Sequence, residues 1–112
     1  MATTVPSTTH SLLVTGHATP GSTVELTLDE DIRTVSIQGW DATGEIEKAC
    51  YYSRAAQTEG DPIDANRVKV SEGGLLPIVI SGQGRRLGGT TLFVASEVSL
   101  GKIGLIISVY PD

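Results

Sequence analysis

Residues 23–28 read Thr-Val-Glu-Leu-Thr-Leu, TVELTL. Apolar and polar side chains alternate without a break, and a period of two marks a β-strand with one buried face. Val24, Leu26 and Leu28 are expected to face a core, with Thr23, Glu25 and Thr27 toward water or a partner. Asp29-Glu30-Asp31 makes a charged turn, and IRTVSIQ at 32–38 resumes the alternation with Val35 and Ile37 on one side. The two runs together read as a β-hairpin.

On the N-terminal side, HSLLVT at 10–15 is a further strand, closed by the turn-rich GHATPGS at 16–22. Residues 1–9, MATTVPSTT, are polar and aperiodic and contain Pro6, so they are expected to form an extended arm that a neighbouring subunit holds. Residues 10–112 make the domain. On the C-terminal side the difficult stretch is EIEKACYYSRAAQ at 45–57. A helix there would carry Ile46, Ala49, Cys50 and Ser53 on one face, with Asp41 or Thr43 as its cap. That apolar stripe is thin, and Cys50, Tyr51 and Tyr52 favour a strand, which is the reading chosen, over about 47–54.

Residues 55–66 are a long loop around Gly60-Asp61-Pro62. RVKV at 67–70 and LLPIVI at 75–80 flank Glu72-Gly73-Gly74 like a second hairpin, and Pro77 assigns its strand to a sheet edge or a bulge because it lacks a donor. TTLFVAS at 90–96 and KIGLIISVY at 102–110 complete the pattern. Seven or eight short strands with no βαβ alternation predict an all-β, two-sheet β-sandwich.

Composition agrees with one such domain. A chain of 112 residues buries roughly two-thirds of its unfolded surface, enough for one modest core. Leu, Ile and Val supply most of it, and 13 Gly serve the turns. The net charge of −5 argues against general nucleic-acid binding, which needs a basic face. The charge is uneven: residues 1–65 hold three bases against ten acids, net −7, and residues 66–112 hold five against three, net +2. Head-to-tail association follows if the two parts lie on different surfaces. Cys50 is the lone cysteine, so no internal disulfide forms. No run approaches the roughly 18 apolar residues of a membrane span. MATTVPSTT lacks the features of a signal peptide, so synthesis in the cytoplasm is expected, with no membrane partner.

Candidate chemistry is sparse. SGQGRRLGG at 81–89 gathers glycines that turn backbone amides outward beside Arg85 and Arg86, a loop suited to an anion or an acidic partner. Its spacing matches neither a dinucleotide fingerprint nor a phosphate loop. Asp29, Glu30 and Asp31 could share calcium with Glu59, Asp61 and Asp64 only if two loops met; solvated turns are the simpler reading. His10, His17 and Cys50 lack zinc-ligand spacing, and no nucleophile elbow is present. No catalytic residue, metal or cofactor is therefore expected. Trp40, Tyr51 and Tyr52 would be the stacking residues if the domain held a glycan.

The order of TVELTL, VSIQGW, ACYYSR, GDPID, RVKVSEGG, LFVASEV and LIISVY behind a polar arm resembles small virion proteins of tailed bacteriophages. The likeness spans about residues 23–110 in layout, with loose motifs. It implies a compact β-sandwich in the virion, as a capsid decoration or cement protein, or else a neck or tail component or a receptor-binding module. The implied partners are the major capsid protein or another virion protein and further copies of the chain, with a trimer favoured. Contacts are then expected at Thr3, Thr4, Val5 and Pro6 of the arm, at Arg85 and Arg86, and at Asp29, Glu30 and Asp31.

Overall fold

The alternation at 23–28 becomes a strand whose buried side faces the core. The computed structural model describes residues 3–5, 11–28, 32–64, 66–79 and 90–109. Nine strands follow in chain order: β1 (Thr3–Val5), β2 (Ser11–Thr15), β3 (Val24–Leu28), β4 (Ile32–Trp40), β5 (Cys50–Ser53), β6 (Val68–Val70), β7 (Leu76–Val79), β8 (Thr90–Ser96) and β9 (Lys102–Val109). They build a five-stranded sheet in the order β1-β3-β8-β5-β6 and a four-stranded sheet in the order β2-β9-β4-β7. The protein is an all-β, two-sheet sandwich, and no helix occurs among the described residues.

One core lies between the sheets. Val24, Leu26 and Leu28 of β3, with Leu92 and Val94 of β8, belong to the same buried cluster as Val35 and Ile37 of β4 and Ile103, Leu105 and Ile107 of β9. Each such aliphatic side chain contributes about 1.5–3 kcal/mol by leaving water. In β4 the register to β9 slips between Ile32 and Thr34, a bulge that leaves Arg33 exposed and lets Ile32 and Val35 both face inward. Gly39 closes the end of β4 because a Cβ there would stand 2.3 Å from the Lys48 carbonyl oxygen. That close approach lets the Lys48 amide donate to the Gly39 carbonyl at 3.0 Å.

The segment 45–57 contains a strand, β5, shorter than the expected 47–54. Cys50 and Tyr52 point to the core while Tyr51 and Ser53 point away, the period of two that a helix cannot give. Asp41, the helix-cap candidate, closes a turn instead. Its Oδ1 accepts from the Thr43 hydroxyl at 2.6 Å and from the Thr43, Glu45 and Ile46 amides at 3.1, 3.2 and 3.4 Å. The Thr43 hydroxyl foremost, and these amides with it, hold the Asp41 carboxyl below its ordinary range.

Both expected hairpins are crossings between the sheets. β3 lies in the five-stranded sheet beside β8 while β4 lies in the other between β9 and β7; likewise β6 pairs β5 while β7 pairs β4. Turn residues fix where the chain reverses, not whether it returns to the same sheet. Pro77 does stand on an edge strand, as its missing donor requires. Two further expectations changed. Thr23 does not face water: it is fully buried where residues 60–63 run alongside, its amide donating to the Asp61 carbonyl at 2.7 Å and its carbonyl accepting from Gly60 at 2.8 Å. Within the stretch read as an arm, Thr3–Val5 form β1, paired in parallel with Leu26–Leu28 of the same chain.

Candidate functional site

The outer face of the four-stranded sheet is built by register. Leu13 of β2 stands opposite Gly104 of β9, which stands opposite Gln38 of β4; one row along, Ser11, Ile106, Ser36 and Pro77 align, and one row the other way, Thr15, Lys102 and Trp40. Leu75 sits one residue ahead of β7. Leu13 is 58% exposed, Ile106 52% and Leu75 50%, yet all three line one groove of about 440 Å³ with Trp40. Gly104 is its floor. A Cβ there would come within 3.3 Å of the Trp40 indole nitrogen and 3.6 Å of Leu13 Cδ2, so the missing side chain lets both lean across the centre of the sheet. At the polar end, Lys102 Nζ donates to Thr15 Oγ1 at 2.8 Å. Clustered aliphatics half in water around an indole form the kind of patch that folded monomers seldom leave without a role.

The opposite outer face is closed by the chain itself. Ile63, in the connection between β5 and β6, is buried on Phe93 and Ala95 of β8, with Tyr51 of β5 packed beside them. The Arg67 guanidinium lies over the Tyr51 ring, 4.8 Å from its centroid, and reaches the Ile63 carbonyl at 3.4 Å. Glu59 fastens the loop. One of its carboxylate oxygens accepts from the Glu25 amide at 2.8 Å and the other meets the His17 imidazole.

The three candidate stacking residues are thus dispersed. Trp40 belongs to the groove of the four-stranded sheet, Tyr51 to the covered face of the other, and Tyr52 packs against the core. They form no shared platform. Of the expected contact residues, Thr4 is exposed on β1, whereas Val5 is fully buried in the core cluster and has no surface to offer a partner. The Thr3 backbone pairs with Leu26. Pro6, Asp29, Glu30, Asp31, Arg85 and Arg86 lie outside the described residues. Among the described residues no three His, Cys, Asp or Glu side chains gather as a metal would need. Cys50 is buried, and burial pushes its thiol up to about 12, so at neutral pH it is a packed side chain without thiolate character.

Of the groove residues only Trp40 was among those expected from the sequence, and its aliphatic neighbours were not. Their signal was present as apolar runs that break alternation: Leu12-Leu13, Leu75-Leu76 and Leu105-Ile106-Ile107. Neighbours in a strand point to opposite faces, so every such run must place one apolar side chain outside the core.

Comparison with family models, curated proteins and solved structures gave no match. The character of this surface rests on its own geometry.

Proposed function

We propose that the chain is a non-catalytic virion structural protein, of the capsid decoration kind, that seats on another virion protein through the outer face of its four-stranded sheet. The observation that carries the contact role is the groove itself, where Leu13, Leu75 and Ile106 stand half exposed around Trp40. An apolar centre with serine, threonine and glutamine at its margin has the anatomy of an interface core inside a polar rim. The virion setting rests on the resemblance in layout, and the bacteriophage capsid is the partner it implies.

The test is co-sedimentation with purified capsids stripped of their surface proteins. The wild-type chain is expected to pellet with them, and a Leu75→Glu, Ile106→Glu double variant of unchanged circular dichroism is expected to stay in the supernatant. A wild-type chain that never pellets overturns the decoration role. Trp40 beside Gln38 also gives one stacking face for a sugar, so a glycan array probed with wild type and Trp40→Ala decides the receptor-binding alternative.

A further inference from the structure

The two sheets have four edges, and three of them carry a device against pairing with another strand. β7 holds Pro77. β6 is Val-Lys-Val, so self-pairing would set Lys69 against Lys69. β1 has three residues among those described. Proline, lysine and shortness are the ordinary means by which sheet edges are kept from adding strands.

β2 has none of them. It reads Ser-Leu-Leu-Val-Thr, five residues without charge, proline or glycine, and among the described strands only β9 pairs with it. The backbone groups that β9 leaves unpaired among the described strands can be assigned. The Gly16 amide donates to the Gly101 carbonyl at 2.8 Å, one step beyond the Thr15–Lys102 pair. Hydrogen-bonded positions alternate in an antiparallel ladder, so Val14 and Leu12 turn their N–H and C=O groups toward β9. Ser11, Leu13 and Thr15 turn theirs outward.

The strand also reads nearly the same in both directions about Leu13. An antiparallel copy centred there sets Ser11 against Thr15, Leu12 against Val14 and Leu13 against Leu13, each residue with its own chemical kind. The outward-turned groups of Ser11, Leu13 and Thr15 then bond in register, and the 58% exposed Leu13 side chains cover one another. We infer that two copies of this chain pair antiparallel through β2 about a two-fold axis at Leu13. The four-stranded sheets become one eight-stranded sheet, and the two apolar grooves, each lined by Ser11 and Leu13, join across the axis. The inference stands apart from the virion role, because it concerns the isolated chain.

Light scattering on the purified protein tests it, with particle binding left out. Wild type is expected to have twice the monomer mass. Leu13→Lys and Leu13→Glu are each expected to be folded monomers, since the side chain lies on the surface, and an equal mixture of the two is expected to regain the dimer mass through a Lys–Glu pair at the axis. Leu13→Pro removes an N–H that no described strand of the same chain uses, so it too is expected to remain folded and monomeric. A wild-type chain that stays monomeric at millimolar concentration overturns the inference. So does a mass of three, the assembly that the phage resemblance implies, or a mixture of the two charge variants that stays monomeric.

Discussion

The two outer faces of the sandwich start from similar material and end differently. Each sheet sends aromatic and aliphatic side chains outward: Tyr51 and Phe93 from the five-stranded sheet, Trp40, Leu13 and Ile106 from the four-stranded sheet. On the first, residues 54–64 fold back, so that Ile63 and Phe93 are buried, and Arg67 lies over Tyr51. On the second, the described residues supply no such cover. An apolar outward residue therefore has two meanings in this fold, a seat for the chain's own loop or a seat for something else. What separates them, among the described residues, is whether a connection returns over the face.

The sharpest way to break this contrast is to remove matching side chains from both faces. Ile63→Ala takes an aliphatic group from a closed site and is expected to cost about 3 kcal/mol in urea unfolding at unchanged slope. Leu75→Ala takes one from the open groove and is expected to shift stability by less than about 0.5 kcal/mol. Equal costs would mean that the groove side chain is as closed in solution as Ile63.

Between the faces, Cys50 reports on the core that both share. In the unfolded chain its thiol ionises near 9.0, whereas in the folded protein burial delays ionisation to about 12. The folded-state value is raised, so its contribution is whole below pH 9 and is lost as pH rises, because only the unfolded state gains by releasing the proton. The expected slope is about 1.4 kcal/mol of lost stability per pH unit between those values. Subtracting the same titration of Cys50→Ala isolates it from the tyrosines and lysines. A wild-type curve parallel to the variant's would show that water reaches this side of the core.

The smallest effect is a gain. The Thr23 hydroxyl is buried beneath the covering loop with no hydrogen-bond partner among the described residues. Thr23→Val keeps the shape and removes the unpaired group, and is expected to raise stability by about 1 kcal/mol. No gain would indicate that the covering loop leaves room for a water on the hydroxyl.

Period-two patterning made the strands legible. TVELTL and IRTVSIQ announced β3 and β4 in this way, the short apolar run in TTLFVAS announced β8, and Pro77 announced an edge. Pairing was not legible. Consecutive strands commonly pair with each other, yet here β5 and β6 are the single consecutive pair that does so among the described strands. Acidic and glycine-rich connections such as the sequence DED at 29–31 and SEGG at 71–74 carry the same residue types whether a chain folds back beside itself or crosses to another sheet. The role of Thr23 was hidden for a related reason, since alternation reports which side of a strand a residue takes and not what a distant loop lays over it. The groove could have been found from the apolar runs at 12–13, 75–76 and 105–107, whose period fails because both faces of the sheet are apolar. Placing Trp40 among them required the register that sets it across from Lys102.

β9 comes last of the described strands and lies in the interior of its sheet, bonded to β2 on one side and β4 on the other. Ser11 finds its partner at Ile106, and Val35 finds one at Ile107. During synthesis, then, β2 and β4 have no central strand between them until residue 109 has cleared the ribosomal tunnel. Until then SLLVT has no described partner strand and IRTVSIQ has only β7, so the sheet closes through contacts distant in sequence and its folding is expected to be slow.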